Sequence, residues 1–248
     1  TDIINQASSQ LREAGIETPE HDAKLLLAEA AGVELRDVDR ALLMGEELGT
    51  TGQLAVFRAM LDRRAKREPL QYITGHAPFR YLDLKVGPGV FIPRPETETV
   101  VQAGLDWLTK NGMIHPCVVD LCAGSGAIGL SVVSEVPGSQ VWAVELSPNT
   151  AEWTRRNLSE TAKKYPSIAS NYHLEIADAT SFATLAQLDG TVDIVITNPP
   201  YVPQTDIPEQ PETSDERDVN DCHKPCDVVL WYANYVSGTS HAHIPRVG

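Results

Sequence analysis

The first 75 residues carry apolar side chains at intervals of three and four positions. Four apolar residues between Ile4 and Ala14 fall on one face of a helix that Gly15 can end. The same spacing predicts three further helices, over residues 18–32, 35–43 and 51–67. We therefore expect a small helical bundle over residues 1–75, with no evident chemistry of its own.

After residue 80 the apolar pattern changes. Residues 81–86 partly alternate between apolar and polar, Gly87-Pro88-Gly89 interrupts the pattern, and residues 90–92 are apolar again. Alternation on both sides of a glycine-rich break is typical of two antiparallel strands. We predict a β-hairpin that turns at these glycines, within a linker over residues 76–95.

From residue 96 onward, helical and strand patterns alternate. Helices are predicted over residues 96–108, 126–134, 149–164 and, more weakly, 182–188. Strands are predicted over residues 117–121, 140–144, 173–176 and 192–197. Strands separated by helices of this length indicate an α/β domain with a doubly wound, Rossmann-like parallel sheet. We place this domain over residues 96–248.

A glycine-rich turn follows the first strand of the predicted sheet. This glycine turn consists of Cys122, Ala123, Gly124, Ser125 and Gly126. With Gly129 it forms a G-x-G-x-x-G pattern, whose glycines let the backbone approach a ligand closely. Glu145 follows the next strand, 21 residues beyond Gly124, where a carboxylate can accept hydrogen bonds from both ribose hydroxyls of a nucleoside cofactor. The pattern by itself does not separate NAD from S-adenosylmethionine.

The tetrad Asn198-Pro199-Pro200-Tyr201 directly follows the strand predicted over residues 192–197. The prolines stiffen the backbone and leave their carbonyl oxygens free as acceptors, while the Asn198 carboxamide offers an acceptor and two donors. Tyr201 adds a flat face for stacking. Together these groups can hold a planar –NH2 group, although a rigid turn without function remains the alternative. A NAD-dependent dehydrogenase leaves the tetrad unexplained, so the tetrad favours S-adenosylmethionine.

These motifs resemble those of class I S-adenosylmethionine-dependent methyltransferases that alkylate an amide or an exocyclic amine. Two further runs narrow the resemblance to one group of these enzymes. The first is Pro69-Leu70-Gln71-Tyr72-Ile73 with Gly75 and Phe79, and the second is Phe91-Ile92-Pro93-Arg94-Pro95-Glu96-Thr97-Glu98. They resemble the HemK-type enzymes that methylate the N5 of glutamine in peptide chain release factors. The resemblance covers about residues 1–213. It implies an N-terminal helical domain that recognises the substrate protein, a hairpin linker and a catalytic domain.

The same resemblance implies the reaction and the residues that perform it. A methyl group would pass from S-adenosylmethionine to the glutamine of the Gly-Gly-Gln tripeptide of a release factor. The residues implied to bind the cofactor are Cys122, Ala123, Gly124, Ser125, Gly126, Glu145, Asp178 (near the adenine) and Asn198. The residues implied to hold the acceptor glutamine are Asn198, Pro199, Pro200 and Tyr201, which would also be catalytic, together with Arg94 and Pro95.

Residues 214–248 depart from this family pattern. Such enzymes continue after the tetrad into a glycine-rich segment, another helix and three further strands, whereas the 47 residues after Tyr201 are too few for them. We expect an atypical or truncated C-terminus and an incomplete sheet. A catalytically impaired protein that binds the cofactor is therefore an alternative to the enzyme.

Charge and composition exclude several other classes of protein. With 20 Lys and Arg against 34 Asp and Glu, the net charge of −14 gives no general attraction to nucleic acid. This counts against an adenine-N6 methyltransferase, which would share the tetrad, and we expect no direct nucleic-acid binding. The four cysteines do not make a disulfide framework. No apolar run is long enough for a membrane span. We therefore expect a cytoplasmic protein. Residues 222–226 (Cys-His-x-x-Cys) match no common zinc spacing, so no metal site is expected.

Overall fold

The computed structural model describes residues 2–200, which form the elements that follow. The helices are α1 (Asp2–Glu13), α2 (Pro19–Ala31), α3 (Leu35–Met44), α4 (Thr51–Ala65), α5 (Leu70–Thr74), α6 (Pro95–Lys110), α7 (Ala127–Glu135) and α8 (Pro148–Lys164). The strands are β1 (His76–Phe79), β2 (Leu82–Lys85), β3 (Cys117–Leu121), β4 (Gln140–Glu145), β5 (Tyr172–Ile176) and β6 (Ile194–Thr197). Short 3-10 turns lie at Pro166–Ser170 and Ala186–Leu188. The predictions for Tyr201 and for residues 214–248 lie outside the described residues.

The four helices predicted in the first 67 residues are present, and they share one apolar core. Leu11, Leu26 and Phe57 lie at the centre of this core and are almost fully buried. A buried ion pair joins two of the helices, because Arg64 Nε donates to Asp22 Oδ2 at 2.8 Å. The short helix α5 has no counterpart in the sequence prediction and links the bundle to β1.

The hairpin exists, but the sequence placed its turn wrongly. Strands β1 and β2 are antiparallel with Phe79 opposite Leu82, so the turn consists of Arg80 and Tyr81. Arg80 has a φ of +52°, a conformation that favours glycine. Its guanidinium donates to both carboxylate oxygens of Glu135 at 2.7 Å, and this ion pair is largely buried. An anchored arginine therefore makes the turn that glycine was expected to make.

The α/β sheet was predicted correctly. Its four described strands are parallel and follow the order β5-β4-β3-β6. Helix α6 lies close to β6 because Gly104 has no side chain: a Cβ there would lie 2.5 Å from Ile196 Cδ1. This close packing brings the N-terminal end of α6 to the carboxyl end of β6, where the tetrad begins.

The helix predicted over residues 182–188 was wrong, because only the 3-10 turn Ala186–Leu188 forms there. Asp178 Oδ1 accepts hydrogen bonds from the backbone N–H and the hydroxyl of Thr180, at 2.8 and 2.7 Å. The Thr184 hydroxyl donates to the Asp178 carbonyl at 2.6 Å. Local bonds of this kind compete with helix formation, and here they hold a loop instead.

Candidate active site

The glycine turn and the tetrad follow neighbouring strands of the sheet. Leu121, the last residue of β3, pairs in register with Thr197, the last residue of β6. The Thr197 hydroxyl donates to the Leu121 carbonyl at 2.6 Å. Since neighbouring strands lie about 5 Å apart, Cys122 and Asn198 begin two adjacent loops at the same edge of the sheet.

The chain order of the strands explains why a ligand would bind at this edge. Strands β3, β4 and β5 follow one another outward, whereas β6 returns to the opposite side of β3. Open α/β sheets bind their ligands in the crevice that such a reversal leaves at the carboxyl ends of the strands. The loops after β3 and β6 flank this crevice.

The glycine turn has an open side and a packed side. Cys122, Gly124 and Gly126 all have positive φ, at 62°, 58° and 85°. A Cβ at Gly126 would lie 3.0 Å from Leu130 Cδ1, whereas a Cβ at Gly124 would meet nothing closer than 4.0 Å. Gly126 therefore permits close packing against α7, and Gly124 exposes backbone that a ligand can approach.

Glu145 contacts the glycine turn directly. It is the last residue of β4, and its Oε2 accepts a hydrogen bond from the Gly124 N–H at 2.9 Å. Its Oε1 accepts another from the N–H of Ser147, the N-cap of α8, at 3.0 Å. Each carboxylate oxygen can accept a second bond, so the carboxylate is held in place and retains capacity for two ribose hydroxyls.

Two exposed apolar residues neighbour Glu145, one along the chain and one across the sheet, and the sequence analysis missed both. Leu146 is 55% exposed and Ile176 is 40% exposed; Ile176 pairs with Glu145 in the sheet. Ile176 is the last residue of β5 and Leu146 is the first residue after β4, so the available signal was an apolar residue where each strand ends. A carboxylate, an open turn and exposed apolar side chains fit the ribose and the purine of an adenosyl group.

Asp178 lies two residues beyond β5, at the same end of the sheet. The neighbouring Ala177 N–H donates to the Glu145 carbonyl at 3.1 Å, which places this loop beside Glu145. Hydrogen bonds from the backbone and the hydroxyl of Thr180 lower the pKa of the exposed Asp178 carboxyl. The carboxylate is thus ionised and oriented, as an acceptor for an adenine amine would be.

The tetrad contacts the start of α6, and the residues expected to hold the acceptor glutamine lie in these two segments. Asn198 Nδ2 donates to Thr97 Oγ1 at 3.3 Å, and Thr97 is only 8% exposed. Arg94 and Pro95, the N-cap and first residue of α6, lie just ahead of Thr97. Within the described residues, the Asn198 carboxamide oxygen accepts no hydrogen bond, so it is the group that can accept an N–H from a ligand.

Asp120 is a fully buried carboxyl beneath the glycine turn, and the sequence analysis missed it. Its Oδ2 accepts the Gly129 N–H at 2.9 Å, in the first turn of α7. Within the described residues, Asp120 Oδ1 and the Tyr172 hydroxyl are buried without a hydrogen-bond partner. Burial raises the pKa of Asp120 to about 7, although the Gly129 N–H opposes this and Glu145 adds to it.

Replacing Asp120 with asparagine is expected to change how stability depends on pH. A carboxyl whose pKa is raised in the fold contributes stability that is fully present below the unfolded pKa and is lost as the pH rises through the folded pKa. With a shift from 3.8 to about 7, the wild type should lose about 2–3 kcal/mol between pH 5 and pH 8 relative to Asp120→Asn. Urea unfolding of both proteins at the two pH values measures this; a constant difference would contradict a raised pKa.

Comparisons with known proteins identify the family. The PrmC N-terminal domain family matches residues 2–75, and the family described as Conserved hypothetical protein 95 matches residues 70–218. A release factor glutamine methyltransferase of Bifidobacterium longum is 99% identical over 215 residues, which are 87% of this chain and 73% of that protein. The chain belongs to the release factor glutamine methyltransferase family. The resemblance inferred from the sequence motifs is confirmed.

Other relatives show how wide this group of methyltransferases is. A release factor glutamine methyltransferase of Streptomyces coelicolor is 42% identical, over 82% of this chain and 66% of that protein. A 4-amino-L-phenylalanine/4-methylamino-L-phenylalanine methyltransferase of Streptomyces pristinaespiralis is 35% identical, over 83% of this chain and 67% of that protein. The chain thus spans about two thirds to three quarters of the length of these relatives.

Two further expectations concern membranes and metals. No helix within residues 2–200 is both long enough and apolar enough to cross a membrane. No group of three or more His, Cys, Asp or Glu side chains within those residues could hold a metal ion. The Cys-His-x-x-Cys run at residues 222–226 lies outside that range.

Proposed function

We propose that this member of the family transfers a methyl group from S-adenosylmethionine to the side-chain amide nitrogen of the glutamine in the Gly-Gly-Gln motif of a peptide chain release factor. The observation that carries the proposal is the position of Asn198. Its carboxamide is held by Thr97 at the crevice between β3 and β6, next to the glycine turn. Family membership supports the same reaction.

The residues around the crevice divide into a cofactor side and an acceptor side. On the cofactor side, Glu145 accepts the ribose hydroxyls and Asp178 lies by the adenine. Residues 122–126 of the glycine turn bind the rest of the nucleoside and the methionine part. On the acceptor side, the residues that hold the glutamine are Arg94, Pro95, Asn198, Pro199 and Pro200, and the sequence motif adds Tyr201, which lies outside the described residues.

The acceptor amide is a poor nucleophile because its lone pair is delocalised into the carbonyl. The Asn198 oxygen and the Pro199 carbonyl accept its two N–H bonds, which turns the nitrogen lone pair toward the methyl carbon and favours positive charge on that nitrogen. The bound cofactor would supply an electrophilic methyl group on a sulfonium: as the N–C bond forms, the C–S bond breaks, S-adenosylhomocysteine leaves as a neutral thioether, and the methylated amide releases its extra proton to water. Alignment of two bound reactants contributes up to about 7–11 kcal/mol in favourable cases, and we assign most of the acceleration to it.

The helical domain over residues 1–75 would recognise the body of the release factor. Leu43 and Met44, at the end of α3, are 87% and 70% exposed. Leu43 lines a groove of about 340 Å³ that Lys24 and Asp39 also line. Exposed apolar side chains beside charged ones suit a protein surface as partner. A translation factor as substrate places the enzyme in the cytoplasm.

A small aromatic amine is the second candidate acceptor. The Streptomyces pristinaespiralis relative is named for 4-amino-L-phenylalanine, and an aryl –NH2 group presents the same pair of N–H donors as a glutamine amide. The names of the relatives described above do not favour nucleic acid as the acceptor.

In the deciding experiment, the full chain is incubated with radiolabelled S-adenosylmethionine and one acceptor at a time. The acceptors are intact release factor, release factor with the Gly-Gly-Gln glutamine replaced by alanine, 4-amino-L-phenylalanine and an oligonucleotide. We expect label only on intact release factor. Label on the alanine variant or on the oligonucleotide would contradict the proposal, and label on 4-amino-L-phenylalanine alone would establish the second candidate. Cofactor binding without label on any acceptor would indicate a catalytically impaired protein.

Replacing Thr97 with valine is expected to slow methyl transfer without weakening cofactor binding. Valine keeps the shape of threonine but cannot accept the hydrogen bond from Asn198, so the carboxamide loses its orientation. Such a hydrogen bond makes a net contribution of about 0.5–1.5 kcal/mol, which predicts a decrease in kcat of roughly 2- to 10-fold. Steady-state kinetics together with calorimetric affinity for S-adenosylhomocysteine measure the two effects separately.

Thr97→Ser is the matched control, because serine restores the hydroxyl while removing only a methyl group. We expect it to recover most of the rate. Equal losses in the valine and serine variants would mean that packing, rather than the hydrogen bond to Asn198, accounts for the effect.

A further inference from the structure

Helix α8 buries polar side chains along one face. Thr150, Thr154 and Asn157 lie on successive turns and are 2%, 0% and 1% exposed. Buried polar groups are expensive unless they form hydrogen bonds. Each of the three side chains donates to a backbone carbonyl that lies outside the helix. The face therefore joins α8 to other parts of the chain.

One partner of this face is the connecting segment, residues 85–94, which runs from the last residue of β2 to the residue before α6. Asn157 Oδ1 accepts the Lys85 N–H at 2.6 Å, and Asn157 Nδ2 donates to the Lys85 carbonyl at 3.0 Å. One turn earlier, Gly87 lies against Trp153, where a Cβ would come within 2.7 Å of the indole ring. Thr150 then donates to the Gly89 carbonyl at 3.1 Å. The connecting segment thus runs antiparallel to α8 and is fastened to it at each turn.

The other partner is the glycine turn. Thr154 Oγ1 donates to the Gly124 carbonyl at 2.7 Å, and Asn157 Nδ2 donates to the Ser125 carbonyl at 2.9 Å. The single side chain of Asn157 therefore bonds the glycine turn and the connecting segment at the same time. Its carboxamide uses both donor hydrogens and its oxygen in these three bonds.

We propose that Asn157 is a positioning residue that couples the two halves of the site, so that binding of the cofactor at the glycine turn orders the connecting segment and strengthens binding of the acceptor. Ser125 cannot shift without stretching a bond to Asn157, and a buried donor left unpaired costs more than the bond itself contributes. The connecting segment leads directly into Arg94 and then Thr97, which holds Asn198. The effect on the acceptor rests on the proposed function, whereas the effect on the connecting segment does not.

The first test measures amide hydrogen exchange with S-adenosylhomocysteine as the probe. In the wild type, saturation with S-adenosylhomocysteine should slow exchange of the Lys85 amide at least about tenfold, since exchange reports local opening. Asn157→Leu keeps the number and branching of the side-chain heavy atoms but removes the polar atoms. In this variant the same saturation should leave exchange at residues 85–89 unchanged. An unaffected wild type, or equal slowing in both proteins, would overturn the coupling.

Two further variants separate coupling from simple loss of stability. Gly87→Ala pushes the connecting segment away from Trp153 without touching the glycine turn, so it should keep its affinity for S-adenosylhomocysteine yet lose the slowing of exchange. Thr161→Val, one turn beyond Asn157 on the same buried face, changes a side chain that bonds neither partner within the described residues, and should behave like the wild type. If Asn157→Leu fails to fold, Gly87→Ala and Thr161→Val still decide the question.

The second test compares the affinity of intact release factor with and without S-adenosylhomocysteine. In the wild type we expect binding to be at least about fivefold tighter with S-adenosylhomocysteine, the low end of usual coupling between sites. In Gly87→Ala and Asn157→Leu the ratio should fall close to one. An unchanged ratio in these variants would overturn the role of Asn157. Slowed exchange without any binding of release factor would instead overturn the proposed function and leave the ordering of the connecting segment in place.

Discussion

Replacing Asn198 with alanine is expected to lower the rate of methyl transfer at least about 100-fold, the effect of removing one preorganised polar group from an active site. In the proposed mechanism the carboxamide oxygen orients the amide nitrogen of the acceptor, and Thr97 holds the other end of the carboxamide. Affinity for S-adenosylmethionine should change far less, because the proposed mechanism assigns that binding to Glu145 and the glycine turn. Single-turnover rates with saturating release factor, together with calorimetry of the cofactor, measure the two quantities.

Asn198→Asp is the informative control for this variant. It keeps an acceptor oxygen but cannot donate to Thr97, and the added charge attracts the cofactor sulfonium as well as the acceptor. We expect a rate between those of the wild type and the alanine variant. If Asn198→Ala lost cofactor affinity and rate in the same proportion, the side chain would belong to the cofactor site instead.

The sequence predicted the sheet well, and it also predicted that the glycine turn and Glu145 lie together, because the signals for both are local. The apolar runs that became β3, β4, β5 and β6 were each found within two residues of their observed ends. The glycine turn and Glu145 were paired on spacing alone, and the Gly124 N–H does donate to the Glu145 carboxylate. Spacing suffices here because neighbouring parallel strands bring their carboxyl ends to one edge.

The hairpin shows where local signals mislead. Gly87-Pro88-Gly89 is a typical turn sequence and does form a turn, since the Val90 N–H donates to the Gly87 carbonyl at 3.3 Å. This turn packs against α8, where the missing side chain of Gly87 makes room for Trp153, and it is not the turn that joins the two hairpin strands. The actual turn uses Arg80, whose left-handed backbone is held by Glu135, 55 residues further along the chain. A partner so distant leaves no trace in the neighbouring sequence.

The supporting residues of the site were missed for the same reason. Thr97 and Asn198 are 101 residues apart, and Asn157 lies 72 residues from Lys85. A buried threonine or asparagine on a helix resembles any polar position on its surface until the fold shows what it faces. The residues proposed to touch ligands carry recognisable motifs, whereas those that position them are identified by their contacts.

Replacing Glu145 with alanine is expected to weaken binding of S-adenosylmethionine by roughly 10- to 100-fold, since hydrogen bonds to a charged group contribute about 1.5–3 kcal/mol. The variant also leaves the Gly124 and Ser147 N–H groups without their acceptor, which loosens the glycine turn. Glu152→Ala is the matched control, because Glu152 is an exposed residue of α8 that pairs with Arg155; its affinity should equal that of the wild type.

A 2′-deoxy analogue of S-adenosylhomocysteine distinguishes loss of the ribose contact from loosening of the turn. If Glu145 accepts the ribose hydroxyls, removing a hydroxyl from the ligand should weaken binding to the wild type and have little further effect on Glu145→Ala, because the two changes remove the same interaction. Calorimetry of both ligands with both proteins completes the cycle. Independent, additive losses would mean that Glu145 acts only by holding Gly124, and that another residue binds the ribose.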